Sequence, residues 1–236
     1  MEIEMINVRK ATDRGSVNLG WLDSKHTFSF GEYHDPNHMG FGKPRVINDD
    51  HVEPGQGFGT HPHRDMEIIS YIIDGALEHK DSMGNGSVMR VNDVQRMTAG
   101  TGVTHSEFNH SNDEQVHFLQ IWIEPERQSL EPGYEQKSFN TDDKLNQLRL
   151  VASRDGRAES LLVHQDADVY GSVLSTGTAL THTFEAGRRG WLQVVSGDMT
   201  ANGEALRAGD GAAIEKVTEL NLLSQTGAEF LLFDLA

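Results

Sequence analysis

The histidines of this chain include two short motifs whose spacing suits metal binding. His61-Pro62-His63 places two imidazoles two residues apart, and His105-Ser106-Glu107 repeats that spacing with an imidazole and a carboxylate. Alternate residues of a β-strand point to the same face of a sheet, so each pair can aim into one interior. Three imidazoles and one carboxylate suit a divalent first-row metal such as iron, manganese, nickel, copper or zinc. An octahedral ion with these four ligands keeps positions open for substrate, water or dioxygen.

The glycine-rich surroundings of both motifs favour this interpretation over an ordinary one. An isolated histidine is usually a surface or structural residue, and we assign that role to most of the twelve histidines. Because these motifs contain two pairs at ligand spacing, we favour a metal-binding role over a surface or structural role for them. Glycines permit a tight approach of the backbone at a strand entrance, and they precede both motifs at Gly55, Gly57, Gly59, Gly100 and Gly102.

Short runs of β-branched and apolar residues between turn signals predict an all-β chain that would position these motifs. A faint repeat between the two halves favours two β-barrels, with a single long β-sandwich as the alternative. Asp74-Gly75 predicts a hairpin turn, and helix is limited to a turn or two within 142–147. The predicted strands are 45–52, 67–73, 76–80, 88–91, 93–97, 116–123, 148–152, 161–164, 169–174, 180–184, 190–195, 211–214, 220–223 and 229–234, with one more short strand in the linker 124–143.

Length, composition and charge exclude several classes of protein. The 236 residues include 36 acidic and 20 basic side chains, for a net charge of −16, and no cysteine. Zero cysteine excludes a disulfide scaffold, a thiolate zinc site and a cysteine nucleophile, and it fits a reducing cytoplasm. The negative balance argues against direct nucleic-acid binding, because phosphates require basic counter-charges. With no secretion signal and no apolar run long enough to span a bilayer, we predict a soluble cytoplasmic protein.

The histidine motifs also resemble a known family. Residues 55–67, running on to Gly75, resemble the first motif of the cupin superfamily, and residues 102–109 resemble the end of the second, with Gly100 where a proline is usual. More narrowly, the chain is similar to the pirin family of two-barrel cupins. The strings that carry this resemblance are THPHRDMEIISY (60–71), EHKDSMGN (78–85), MTAGTGVTHSE (97–107), GWLDS (20–24), HTFSF (26–30) and RVINDD (45–50).

The pirin resemblance implies a fold and a ligand set. It implies two jelly-roll-like cupin barrels, with a metal site in 1–130 and a degenerate barrel without a metal site in 131–236. The ligands would be His61, His63, His105 and Glu107, holding one divalent transition metal: Fe(II) foremost, with Mn, Ni, Cu, Co or Zn as alternatives. Glu67 ligates metal in many other cupins, but here it would be a supporting group. Were Glu67 the ligand instead, Glu107 would be free to act as a base.

The resemblance also implies an activity. Bacterial pirin-like proteins are associated with quercetin 2,3-dioxygenase activity, the oxidative ring opening of a flavonol with release of carbon monoxide. A small aromatic molecule and dioxygen would be the substrates, and Glu107 or Glu67 would accept the hydroxyl proton. The segment 26–42, rich in histidine and aromatic residues, would form a flap over the pocket. The alternatives are a metal-binding, redox-sensing regulator that acts through a protein partner, and another cupin metalloenzyme.

Overall fold

The computed structural model describes residues 5–236, which form 21 β-strands and little helix. Helical structure is confined to α1 (Thr141–Lys144) and two 3-10 turns, Ala11–Asp13 and Arg157–Glu159. The strands are β1 Met5–Arg9, β2 Gly15–Asn18, β3 Leu22–His26, β4 Pro44–Val52, β5 Gly57–His63, β6 Glu67–Asp74, β7 Ala76–Asp81, β8 Gly86–Arg90, β9 Asp93–Thr98, β10 Val103–Asn109, β11 Val116–Ile123, β12 Gly133–Ser138, β13 Arg149–Ser153, β14 Leu161–Leu162, β15 Ala167–Leu174, β16 Thr178–Thr183, β17 Arg189–Ala201, β18 Glu204–Arg207, β19 Gly211–Glu215, β20 Glu219–Ser224 and β21 Ala228–Leu235.

The first compact unit comprises residues 15–138 and 161–165, and we call it the N-terminal unit. It contains a seven-stranded antiparallel sheet in the order β12-β9-β6-β11-β4-β3-β2 and a four-stranded sheet in the order β5-β10-β7-β8. Alternation along these strands sends apolar side chains inward, where burial away from water stabilises the fold. One buried cluster consists of Leu22, Val52, Ile72, Leu77, Met89, Val116 and Phe118.

The second unit, here the C-terminal unit, comprises residues 5–14, 139–160 and 166–236. Its main sheet has the order β1-β19-β17-β21-β15-β13, and the long strand β17 continues past that sheet to pair with β18 and β20. The interior of this unit is apolar, with Phe184, Leu192, Leu222, Phe230 and Leu232 among its fully buried side chains.

The predicted all-β architecture of two units is confirmed, and the single long sandwich is not observed. Every strand range predicted from the sequence overlaps an observed strand, and the helix is one turn within Thr141–Lys144. The division of the chain at residue 130 stays a prediction, since each compact unit is discontinuous in sequence. Within residues 5–236, no helix is long and apolar enough to cross a membrane.

The hairpin predicted at Asp74-Gly75 is wrong. Strand β6 pairs with β9 and β11, whereas β7 pairs with β8 and β10, so this turn carries the chain from one sheet to the other. Gly75 has φ +75°, and a Cβ atom there would lie 2.7 Å from the carbonyl oxygen of Gln115. Asp74-Gly75 can adopt the positive φ that is needed both in a hairpin turn and in a turn between two sheets. The local sequence therefore does not distinguish these two kinds of turn.

Candidate metal centre

Three histidines predicted as ligands come together where β5 pairs with β10. His105 lies opposite His61 in this antiparallel pair, and Val103 lies opposite His63. A nitrogen atom from each of His61, His63 and His105 lies within 4.8 Å of the others. Their ring centroids are 4.5 to 4.8 Å apart. The pairing of two strands, each bearing residues two apart, therefore gathers the three imidazoles at one point.

Glu107 approaches the same region and is held by the facing sheet. A bulge in the β5–β10 pairing between His105 and Glu107 shifts the register at this carboxylate. The Gln120 amide donates to Glu107 Oε2 at 2.7 Å, and the single Ser70 hydroxyl proton is shared between Gln120 Oε1 at 2.9 Å and Glu107 Oε1 at 3.3 Å. The side chains of His105, Glu107, Ser70 and Gln120 are all buried. Hydrogen bonds from β6 and β11 thus fix the orientation of the predicted carboxylate ligand.

The donor atoms of this cluster fit a divalent cation. His105 Nε2 is buried without a hydrogen-bond partner, which is costly unless another group satisfies its lone pair. Burial and the neighbouring imidazoles of His61 and His79 lower the pKa of His105 to about 3. Burial and the charges of His105 and His61 lower the pKa of His63 to about 4. Neutral imidazole is the form that binds a metal, so a divalent metal suits these residues at neutral pH.

A cavity of about 390 Å³ opens beside the cluster. This volume lies within the usual range of small-molecule sites, about 300 to 1,000 Å³. His61, His63 and Glu107 form part of its wall. The proposed flap contributes His26, Phe30, Gly31 and Glu32, and the other lining residues are Val17, Leu19, Leu22, Ser24, Asn48, Asp50, Phe58, Gln120 and Trp122.

Asp50 is a cavity residue that the sequence analysis did not single out. It is buried on β4, and the Ser24 hydroxyl donates a hydrogen bond to it. Burial raises the pKa of Asp50 to about 7; the Ser24 hydrogen bond opposes the shift, and the charges of Asp49 and Glu107 add to it. Its only signal in the sequence was its place in the string RVINDD, where nothing local shows that Asp50 faces inward.

Glu67 lies on β6 with different neighbours. The Thr98 hydroxyl donates to its Oε2 at 3.1 Å, and the His164 backbone N–H donates to the same oxygen at 3.3 Å. Burial raises the pKa of Glu67, against the opposing charges of Arg96 and His164. Across the described residues, Glu67 neither lines this cavity nor joins a cluster of three metal-ligating groups.

His79 and Asp81 are two further residues that the sequence did not reveal as part of the site. Both side chains are fully buried on β7, and His79 Nε2 lies 3.1 Å from Asp81 Oδ2. His79 Nδ1 lies 3.4 Å from His105 Nδ1, and the His79 ring stacks on Tyr134. Although burial opposes it, hydrogen bonds from Asn85 and His79 keep the pKa of Asp81 below its ordinary value. The string EHKDSMGN contained both residues, but only as part of the family resemblance.

Two antiparallel β-units, one of which gathers three histidines beside a cavity that the buried Glu107 also lines, define a two-domain cupin protein. The family model for pirin matches residues 7–123, and the model described as the quercetinase C-terminal cupin domain matches residues 150–235. The chain belongs to the pirin family. In the described residues, three clusters of candidate ligands occur, and all lie in the N-terminal unit: His61, His63 and His105; His79, His105 and Glu107; and Asp49, His51 and His117.

Full-length relatives agree with this assignment. The chain is 49% identical over 231 residues to quercetin 2,3-dioxygenase of Escherichia coli K12, covering 98% of this chain and 99% of the relative. It is 40% identical over 230 residues to the pirin-like protein of Caulobacter vibrioides, covering 97% and 99%. The crystal structure of the bacterial pirin YhhW from Escherichia coli in complex with nickel(II) matches with a TM-score of 0.94 and 48% identity, covering 98% of this chain and 99% of that one.

Proposed function

We propose that this protein is a metal-dependent dioxygenase of the quercetin 2,3-dioxygenase type, which opens the ring of a flavonol such as quercetin and releases carbon monoxide. The observation that carries this proposal is the 390 Å³ cavity with His61, His63 and Glu107 in its wall. The full-length relative of Escherichia coli that bears this activity in its name supports it. A planar aromatic molecule and dioxygen are then the substrates.

His61, His63, His105 and Glu107 are the proposed ligands of one divalent metal. Once bound, such a metal supplies a Lewis-acidic position that favours ionisation of the flavonol hydroxyl and a route for electrons from the ring to dioxygen. The apolar side chains of Leu22, Phe30, Phe58 and Trp122 in the cavity wall would limit the access of water to the bound substrate. Aromatic side chains in that wall can pack against the flat rings of the substrate.

The carboxylates of the site have separate proposed roles. Gln120 and Ser70 hydrogen bond to the two oxygens of Glu107 and orient it, which suits a ligand that can also accept the hydroxyl proton. Asp50 shares the cavity with Glu107 and offers a second acceptor. Glu67 hydrogen bonds to Thr98 and His164 instead, so we propose that it supports the fold beside the site.

Fe(II) is our proposed native metal. Three imidazoles and one carboxylate do not discriminate sharply among first-row ions, and intrinsic affinity rises from Fe(II) to Ni(II). The nickel(II) in the relative's structure is therefore compatible with a different metal in this chain's cell. Metal analysis of protein purified from iron-replete cells, followed by turnover measurements with each ion, tests this choice. Higher turnover with Ni(II) than with Fe(II) would contradict it.

The activity is tested by anaerobic reconstitution with Fe(II), Mn(II), Ni(II), Cu(II) or Co(II), followed by admission of air. We expect the flavonol absorbance to disappear and carbon monoxide to appear in equal amount. His63→Ala should abolish both signals, whereas His110→Ala, at an exposed histidine paired with Glu78, should keep them. Absence of turnover with every metal would reject the dioxygenase.

The regulatory alternative is not favoured, because a full-length relative carries an enzyme name and a cavity adjoins the histidines. A cytoplasmic location is part of the proposal and is supported by the absence of cysteine. A partner interaction that persists while no metal supports turnover would restore the regulatory interpretation.

A further inference from the structure

His105, one of the proposed metal ligands, contacts the buried pair His79 and Asp81, which has no role in the proposed reaction. His79 and Asp81 lie on β7, which pairs with β10 so that His105 is opposite Asp81 and Glu107 is opposite His79. His105 and His79 are 1% and 0% exposed, and the Asp81 side chain is also 0% exposed. The side chains of Asp81, His79 and His105 therefore form a buried hydrogen-bonded series that ends at the cluster of proposed ligands.

With a metal on His105 Nε2, the hydrogen bonds among His105, His79 and Asp81 permit one consistent placement of protons. His105 Nε2 has no hydrogen-bond partner and is the atom free to bind a metal. Its proton must then sit on Nδ1, which lies 3.4 Å from His79 Nδ1. His79 accepts that proton's hydrogen bond, so its own proton sits on Nε2 and is donated to Asp81 Oδ2 over 3.1 Å.

Asp81 is in turn fixed as an acceptor. Its Oδ1 accepts hydrogen bonds from the backbone N–H groups of Met83 and Asn85 at 2.9 and 3.0 Å. Its Oδ2 accepts a further hydrogen bond from the Asn85 side-chain amide at 2.9 Å. Because Met83 and Asn85 offer only N–H donors to these oxygens, Asp81 acts as an acceptor, and the proton shared with His79 stays on His79 Nε2.

We propose that His79 and Asp81 are positioning residues, which hold His105 in the Nδ1–H tautomer and so turn the lone pair of its Nε2 towards the metal. A hydrogen bond from a ligating histidine to an outer acceptor commonly fixes the ring and strengthens the ligand, with effects of about 10- to 100-fold on affinity. The inference rests on metal binding by His105 but not on the identity of the substrate.

Two variants separate this role from simple packing. In His79→Asn the side-chain oxygen occupies nearly the position of Nδ1 and can accept from His105, whereas His79→Leu has a similar shape but no acceptor. We expect the zinc affinity of the leucine variant to fall about 10- to 100-fold, and that of the asparagine variant to stay within about threefold of the unaltered protein. His110→Leu, which removes an exposed histidine paired with Glu78, is the control and should bind zinc normally.

Long-range ¹H–¹⁵N spectra of the zinc-loaded, unaltered protein give a readout that packing alone does not move. We expect the proton of His105 on Nδ1, the proton of His79 on Nε2, and no metal-induced shift at His79 Nδ1. These spectra decide the issue even if the leucine variant fails to fold. A metal-shifted His79 Nδ1 would make His79 a ligand and overturn the proposal.

The proposal is also overturned if the leucine variant binds zinc as tightly as the unaltered protein. Failure of the unaltered protein to bind zinc would reject both the metal site and this inference. Loss of zinc affinity in His79→Leu without flavonol turnover in any metal-loaded form would reject the proposed activity and leave the positioning role intact.

Discussion

Single residues around the cluster differ in function because of what they contact. Glu107 and Glu67 are both buried glutamates, but Gln120 and Ser70 aim Glu107 at the histidines, whereas Thr98 and His164 bind Glu67. Chemistry at this scale depends on which donors reach each carboxylate oxygen, because those hydrogen bonds fix both orientation and protonation.

Gln120 is expected to matter more than Ser70 for metal binding, because its hydrogen bond to Glu107 is 2.7 Å long and that of Ser70 is 3.3 Å. Gln120→Leu should lower zinc affinity about tenfold, and Ser70→Ala by less. Competition titration with a chromogenic chelator measures both. Equal affinities in Gln120→Leu and the unaltered protein would show that Glu107 needs no support from β11.

Asp50 should make the stability of the metal-free protein depend on pH. Because burial raises its pKa from 3.8 to about 7 in the folded state, folding favours the protonated form, and stability falls as pH rises from about 4 to about 7. Asp50→Asn should remove this loss, which is at most about 4 kcal/mol. Urea unfolding at pH 5 and pH 8 measures the difference.

The control for this prediction is Asp113→Asn, at an exposed aspartate of the same unit. It should leave the pH dependence unchanged. Parallel pH curves for Asp50→Asn and the unaltered protein would show that Asp50 does not titrate with a raised pKa.

Strands act together at the next scale. A row of buried polar side chains runs across the seven-stranded sheet, one residue per strand and each opposite the next in the pairing register. The members of this row are His26, Asn48, Gln120, Ser70 and Gln95. Glu107 of the facing sheet hydrogen bonds to two of them, so the row brings polar support to the site through an otherwise apolar interior.

The crossing at Gly75 should tolerate a side chain poorly. Gly75→Ala adds a Cβ at 2.7 Å from the Gln115 carbonyl oxygen and 2.9 Å from Val116 Cα, in addition to the strain of φ +75°. We expect a loss of about 3 kcal/mol or more. Gly84→Ala, at φ +94° with open space around it, is the matched control and should cost only about 1 kcal/mol. If thermal unfolding shows the same loss of stability in both variants, the contacts of the added Cβ at position 75 do not contribute to it.

The whole molecule consists of two units that are discontinuous in sequence. Residues 5–14 belong to the C-terminal unit, where β1 pairs with β19 and Asp210 accepts hydrogen bonds from the Lys10 side chain and the Ala11 backbone. Residues 161–165 belong to the N-terminal unit, where His164 meets Glu67. The net charge of −16 is a property of the entire chain.

Removal of residues 1–14 should weaken the C-terminal unit and leave the metal site intact, because the clustered histidines belong to the other unit. We expect faster hydrogen exchange in β19, whose pairing with β1 is lost, and unchanged zinc affinity. Lys10→Ala removes a half-exposed ion pair with Asp210 and an exposed hydrogen bond to the Ala205 carbonyl but keeps the β1–β19 pairing, so it should change exchange little. Unchanged exchange in the truncated protein would show that β1 contributes no protection.

The sequence by itself determined most of the strands, the two-unit all-β class and the histidine motifs at His61, His63 and His105, but its list of strands lacked β5 and β10, which carry those motifs. These are local properties, since strand periodicity and two-residue spacing are visible along a single segment. Tertiary structure decided three further features. These are the turn between sheets at Gly75, the inward orientation of Asp50, and the different hydrogen-bond partners of Glu107 and Glu67. It also joined His79 to His105 and aligned the polar row across five strands. Such contacts depend on pairing register between segments distant in the chain, and no single segment of the sequence encodes that register.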